Sequence, residues 1–493
     1  LSTERKFSRS MRTAAPRWLG WSEWATWPPT SALPFANLGR GCDVVLCGNG
    51  AGGGRGSVVG GADARVRGVE WAPMAEEVEL VQALIRNACV NDGSNDPHEV
   101  RNADVVQSVL EAGGVEVTAV DAAPGRRSLV ARWPGTDPTA PTLMLHGHTD
   151  VVPADAARWD RDPYAAELHE GFVWGRGAMD MLGHVATMAL AFRDLVASGR
   201  HLPGDVVFAA VADEEALGGY GMEYLVREHP ELVSADWVLG ESGGVQTGTP
   251  EGPNLNVLVG EKGAWRVAVD IGAEPGTSSM PYGSTSVLSL AAEVVTKLSE
   301  SGGQILIGDA WRDVVRWGWD PRAVEVVTDP ERVDAVVARM PVEVARVVHA
   351  LTRLTVVPTR VSTDGSWNSM SARATVELDV RSVEGQDWTD VAGYIEEVLG
   401  AELSERIELR LIARAKASRS AMGTGLWEVI EGSARTLVPR ASLVPAIATG
   451  VTDARFLREQ GAIAYGFGLY SPRMQAAQIP AMVHGDNERV DVE

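Results

Sequence analysis

Two short stretches, TLMLHGHTDVVP at residues 142–153 and GFVWGRGAMDMLG at residues 171–183, decide how this chain is read. Thr142, Leu143, Met144 and Leu145 make the brief apolar run of a strand buried in an α/β sheet. His146, His148 and Asp150 alternate along its exit, so a period of two turns all three side chains to one side. A His and a carboxylate two residues apart suit a zinc ligand and the acid that fixes its tautomer. Asp180 closes a glycine-rich turn starting at Gly175, where small residues let the backbone approach an ion. An HxD pair alone says little. Followed at this distance by GRGAxD, it reads as a metal-binding shelf at a strand end.

The pattern recurs further along. Residues 205–212 (DVVFAAVA) form a second buried strand that runs into Asp213, Glu214 and Glu215. Three adjacent acids repel one another unless a cation neutralises them. A solvated acidic turn is the bland alternative, but the apolar strand before and Gly218-Gly219 after repeat the first site's layout. A strand at 236–239 ends at Glu241-Ser242-Gly243-Gly244, with Asp236 at its opposite end. A helix follows Asp180, with Leu182, Val185, Met188, Ala189, Phe192 and Leu195 on one face. Three strand ends thus deliver acids and imidazoles to one sheet edge, where open α/β folds bind ligands.

Composition bounds the rest. A chain of 493 residues accommodates two or three domains, and its 45% apolar and 22% charged residues are ordinary for a globular protein. The formal charge of −22 argues against nucleic acid or an anionic membrane as a partner and fits a soluble, cytoplasmic protein. Cys42, Cys47 and Cys89 are too few for a disulfide framework, in keeping with a reducing compartment. No run of 18 apolar residues occurs. Residues 1–73 differ from the rest, with Trp18, Trp21, Trp24, Trp27 and Trp71, a glycine-rich tract, and nine Lys/Arg against five Asp/Glu. They read as disordered or as a mis-set start, the working protein beginning near Met74.

From there the periodicity predicts helices at 76–88 and 102–112 and strands at 115–120 and 128–133. The middle, 259–414, reads as an inserted domain with strands at 265–271, 374–381 and 406–413 and a helix at 284–298 capped by Ser284. Within it lies a mostly helical insert at about 302–365, with helices at 330–338 and 342–354 and with Trp311, Trp317 and Trp319 as packing residues. A helix at 427–437 belongs to the return segment, 415–493. The fold class is therefore α/β. A central, mostly parallel sheet with helices on both faces is built from 74–258 and 415–493, and an α+β domain is inserted between them.

In order, HTDVVP, GRGAMDM, ADEEALGG, GESGG and VHGDNERV resemble the motifs of the M20 family of metallopeptidases and amidohydrolases, over roughly residues 74–493. The resemblance implies a zinc-peptidase-like catalytic domain with an inserted lid or dimerisation domain, and so a homodimer through that lid. It also implies two divalent metal ions held by His148, Asp180 as bridge, Glu215, Glu241 and His484, with Asp150 orienting His148 and Glu214 as general base. Zn²⁺ suits such ligands, as do Co²⁺ and Mn²⁺. Two such ions roughly 3.5–4 Å apart hold and acidify a bridging water. Asn368 matches a substrate-contacting Asn. Arg455, in the TDAR loop, pairs with a substrate carboxylate or forms a structural salt bridge.

Departures from the pattern accompany the match. Thr277 stands where many members carry a His that reaches the partner's site as an oxyanion donor, and such a loss costs roughly 10²–10³ in rate. Ser369-Met370-Ser371 lacks the usual proline, and Leu182 and His184 replace Lys and Gly, leaving His184 either on the surface or against substrate. The sequence stops nine residues after His484, where relatives continue into a closing helix, so a truncated end is expected. The function expected is metal-dependent hydrolysis of an amide or peptide bond in a small carboxylate-bearing substrate: a dipeptide, a short peptide or an N-acyl amino acid. The alternatives are a catalytically impaired binding or regulatory protein on the same fold, and an esterase or carbamoyl-type amidohydrolase.

Overall fold

The computed structural model describes residues 75–93, 97–249, 252–476 and 478–492. The readings of residues 1–73, including Cys42 and Cys47, lie outside them. Helix α1 (Ala75–Arg86) buries Leu80, Val81, Leu84 and Ile85, and α2 (Val100–Ala112) buries Ala103, Val106 and Leu110. The three- and four-residue spacings place each set on one face. Strand β1 (Thr118–Ala123) then pairs antiparallel with β2 (Arg126–Trp133). The first strand begins later than the expected 115 because the Val115 amide still bonds to the Leu110 carbonyl, closing α2.

Strand β3 (Leu143–His148) is central to a ten-stranded sheet. It lies parallel to Val206–Val211 on one side and to Trp237–Gly240 on the other, and Ile463–Gly466 extends this parallel core. Antiparallel strands flank the core, with β2 beside Val206–Val211 and Gly252–Glu261 beside Ile463–Gly466. Leu145 packs toward α1, α2 and α3 (Gly183–Ala197), whereas Met144 packs toward the helices Met222–Glu228 and Ala454–Glu459, so both faces are covered. Parallel neighbours end at the same edge. His148, the turn Asp213–Glu215 and Glu241 therefore emerge side by side. Asp236 sits at the far end, accepting from the Thr142 amide at 2.8 Å.

A second sheet of five strands orders Gln304–Ile305, Arg353–Thr363, Arg373–Ser382, Gly263–Gly272 and Ile407–Ala415, all antiparallel. Helices Val287–Glu300 and Trp388–Leu399 pack on it around Trp265, Val267, Val294, Val376 and Ile395. The chain enters this sheet at Lys262 and leaves between Ala415 and Ser418. We propose these crossings as the domain boundaries. Two expectations need correcting here. The helix starts at Val287, and Ser286 rather than Ser284 precedes it, without a side-chain cap bond. The helical insert ends at Leu351, since residues 353–363 are an interior strand of the five-stranded sheet. The insert's helices bury Trp311, whose indole N–H donates to the Val327 carbonyl at 2.9 Å, and Trp319 meets it edge-on. Among the described residues no helix is long and apolar enough to cross a membrane.

Candidate active site

His148 is fully buried, and its two ring nitrogens face different partners. Nδ1 lies 3.0 Å from the backbone carbonyl of Asp150, while Nε2 lies 3.2 Å from Asp180 Oδ1 and 3.2 Å from Glu241 Oε2. An Nδ1–H donated to a carbonyl leaves the Nε2 lone pair free for a ligand. The carbonyl does what was expected of the carboxylate, which is 3.6 Å away. The Asp150 carboxylate instead accepts from the amides of Glu214 (3.2 Å) and Glu215 (3.1 Å), so it caps the acidic turn.

Asp180 follows a tight turn in which Gly177 has φ 83°, and a Cβ there would run into Val151. The Asp180–Met181 peptide is cis. Asp180 Oδ2 lies 3.3 Å from His484 Nε2, which is 3.1 Å from Glu215 Oε2. A short strand explains how residue 484 arrives. Arg489–Asp491 pairs antiparallel with Phe172–Trp174, which leads directly into the glycine-rich turn. His148, Asp180 and Glu241 thus form one group of donor atoms, and Asp180, Glu215 and His484 a second, each within 4.8 Å. Asp180 belongs to both. His484 is half exposed, so the second group opens to solvent.

The donor set tests well against a pair of divalent cations. Three carboxylates converge, with Glu214 beside them, and the positive charge in contact with them comes from two imidazoles. Glu215 Oε1 is buried without a hydrogen-bond partner, the sort of orphan a cation satisfies. Burial, then the charge of Glu241, holds Glu214 well above the usual carboxylate range, and burial pushes Glu241 up to about 7. Burial alone would raise Asp180 as well, but hydrogen bonds from His148 and His484 hold it low. The same contacts with Asp180 and Glu215 push His484 up to about 10. The acids demand compensating charge. Two divalent ions would supply it and would leave both imidazoles neutral.

Other expected residues lie elsewhere. Thr277 and Asn368 lie at a two-residue antiparallel pairing of Gly276–Thr277 with Ser369–Met370 on the inserted unit, where the Ser278 amide donates to the Asn368 carbonyl and Thr277 Oγ1 lies 2.9 Å from Ser279 Oγ. Arg455 is a correction to the substrate-binding expectation. Its guanidinium is buried, donates to the carbonyls of Thr452 and Leu217, and lies 4.1 Å from the centre of the Phe456 ring, which commits it to joining two loops. His184 is largely buried against Tyr470, and burial pushes it down to about 4. His146 points its Nε2 at the buried Asp453, 3.7 Å away.

Glu488 was missed altogether. Its carboxylate, fully buried, accepts from the amides of Gly177 (3.0 Å), Met179 (2.8 Å) and Asp180 (3.0 Å) and from Arg176 at 2.6 Å. It therefore shapes the turn that carries Asp180. The NER triplet inside the quoted VHGDNERV was the available signal.

Residues 144–493 match the model of peptidase family M20/M25/M40, and the chain belongs to that family. Among its relatives are mouse aminoacylase-1, 27% identical over 388 residues covering 76% of this chain and 82% of the relative. A succinyl-diaminopimelate desuccinylase of Cereibacter sphaeroides (strain ATCC 17029 / ATH 2.4.9) is 26% identical over 428 residues, covering 85% and 94%. The fold is shared with an M20 family metallo-carboxypeptidase, Sso-CP2, from Sulfolobus solfataricus (TM-score 0.64, 19% identity, 85% and 95% covered). It is shared equally with the di-peptidase Dug1p of Saccharomyces cerevisiae (TM-score 0.63, 17% identity, 85% and 92% covered). The chain is an enzyme, a hydrolase of the M20 family.

Proposed function

We propose that this hydrolase cleaves an amide or peptide bond in a small substrate bearing a free carboxylate: a dipeptide, a short peptide or an N-acyl amino acid. His148, Asp180 and Glu241 would hold one divalent ion and Asp180, Glu215 and His484 another, Zn²⁺ by donor type, with Co²⁺ and Mn²⁺ also suited. Bound there, such ions supply Lewis acidity toward the scissile carbonyl and lower the pKa of water toward ~7. The chain's own residues do the proton work. Glu214 belongs to neither donor group, is nearly buried, and has a raised affinity for protons. It takes a proton from the attacking water and returns it to the leaving amine. Asp150, gripping the amides of Glu214 and Glu215, directs the first side chain to this task and the second to the ion.

The observation that carries this reading is the pair of donor groups sharing Asp180, with an unshared acid adjacent to a ligand. The names aminoacylase and desuccinylase among the relatives support N-acyl amino acids as the substrate class. A homodimer through the inserted unit belongs to the same reading. Its support is the edge strand Ile407–Ala415 at one end of the five-stranded sheet, together with Tyr282 and Trp367, fully exposed a few residues from the pairing of Gly276–Thr277 with Ser369–Met370. The acidic charge supports a cytoplasmic setting. Amine release from a panel of dipeptides and N-acyl amino acids tests the reaction, with ester and ureido analogues alongside. Turnover should vanish with chelator, return with Zn²⁺, Co²⁺ or Mn²⁺, and be absent in Glu214→Gln. Chelator-insensitive turnover would overturn the reading.

A further inference from the structure

Behind the acidic turn lies a buried cation that the reaction as described does not use. Arg126, the first residue of β2, is 5% exposed. Its NH1 lies 2.9 Å from Asp213 Oδ1 and also donates to Glu99 Oε1, while NH2 donates to Asn91 Oδ1 at 3.3 Å. Asn91 in turn donates its Nδ2 to Asp213 Oδ1 (3.0 Å) and to Asp150 Oδ2 (2.9 Å). All five side chains are at most 5% exposed. They come from five separate parts of the chain: the loop after α1, the start of α2, the β1–β2 hairpin and two strand ends.

The need for such a brace follows from the backbone. Asp213 has φ 68° and Leu217 has φ 83°, left-handed conformations that are uncommon for residues with a side chain and strained for one like Leu217. Asp213 is held by both carboxylate oxygens, Oδ1 by Arg126 and Asn91 and Oδ2 by the Tyr220 amide at 2.9 Å. With Asp213 so fixed, the amides of Glu214 and Glu215 face the Asp150 carboxylate. A buried carboxylate facing a second one is costly without a cation between them. Arg126 is that cation for Asp213, and through Asn91 the same bracket reaches Asp150.

We propose that Arg126, with Glu99 as its counterion and Asn91 as its link to Asp150, is a positioning residue for Glu214 and Glu215. It acts by holding Asp213 in its left-handed conformation. Lysine cannot replace it, because one ammonium cannot reach Glu99, Asp213 and Asn91 in a fixed fork. The role rests on the proposed reaction only for its kinetic consequence; the turn geometry is independent of it.

The test uses Arg126→Met, Arg126→Lys and Asn91→Ala in the full chain, with Arg127→Ala as control. Arg127 is the neighbouring residue and pairs on the surface with Asp104 and Asp121. First, hydrogen exchange of the peptide spanning residues 213–220 is followed in metal-free protein. Arg126→Met and Arg126→Lys should exchange there at least tenfold faster, with α3 and the five-stranded sheet unchanged. Second, in ion-loaded protein kcat should fall about 10–100-fold and the ion midpoint in a Co²⁺ titration should weaken by a similar factor, with KM within threefold. Arg127→Ala should behave as the parent. Unchanged exchange at 213–220 in a folded Arg126→Met or Arg126→Lys protein would overturn the proposal, as would exchange that rises uniformly over the whole chain. If the parent binds no ion and turns over no amide, the proposed reaction fails while the exchange result still judges the brace.

Discussion

Replacing Glu488 by Gln should damage the enzyme well beyond the loss of a single contact. The carboxylate serves four donors, two on each oxygen: the amides of Met179 and Asp180 on Oε1, the Gly177 amide and Arg176 on Oε2. A glutamine carbonyl can keep one pair, but its NH₂ then faces the other pair, donor against donor. Each orphaned peptide N–H costs about 1–3 kcal/mol. Arg176, 2% exposed, also loses its counter-charge, and breaking a buried pair from one side costs about 3–5 kcal/mol. The two terms describe one event and do not add, so about 3–5 kcal/mol of stability is the expected loss, a large part of a typical folding free energy of about 5–15 kcal/mol. Arg176→Met combined with Glu488→Gln should recover part of it, because no unpaired charge then remains buried. Urea unfolding of the parent, both single variants and the double variant measures the coupling. A Glu488→Gln protein within about 1 kcal/mol of the parent, or strictly additive single variants, would refute the assignment of Glu488 as the clamp on the Asp180 turn.

Three further outcomes follow from side chains outside the donor groups. Burial pushes the Cys89 thiol up to about 12, so in a Cys42→Ser, Cys47→Ser protein a disulfide reagent at pH 8 should label no thiol until denaturant is added. Lys262 is buried with its ammonium donating to the carbonyls of Ala350 and Arg353, and burial pushes it down to about 7. Because the unfolded chain binds that proton up to pH ~10.4, stability should rise between pH ~7 and ~10, by up to about 4 kcal/mol. Lys262→Met should abolish this rise, and stability measured at several pH values checks it. Arg455→Met should lower stability by about 1–3 kcal/mol, since it frees two loop carbonyls, while leaving KM for a carboxylate-bearing substrate within threefold. A KM raised tenfold or more would restore Arg455 to the substrate.

What could be read along the chain and what could not divide on physical lines. His148, Glu215 and Glu241 were legible because each ends or follows a short apolar strand, and parallel strands side by side must discharge at one edge, whereas Asp180 was legible from its glycine-rich turn. His484 was legible only through resemblance, since nothing local says that a strand at 489–491 will pair with one at 172–174. The partners of the bracing residues were not legible, even where, as in the NER triplet at Glu488, a signal was present. Arg176 and Glu488 meet across 312 positions, and Arg126 reaches Asp213 from another hairpin. Periodicity reports which face a residue occupies, not which distant partner it finds there. For Asp150, a two-residue spacing cannot tell its carbonyl, 3.0 Å from His148 Nδ1, from its carboxylate, 3.6 Å away, as the nearer acceptor. The end of the insert was misread as helix, since Arg353–Thr363 is apolar enough at its start to continue the pattern of the helix before it.

Anomalous diffraction at the zinc edge, from crystals grown with Zn²⁺, addresses the central claim most directly. Two peaks roughly 3.5–4 Å apart are expected, one among His148, Asp180 and Glu241 and the other among Asp180, Glu215 and His484. A crystal with zinc at neither group, or with Asp180 touching no ion, would contradict it.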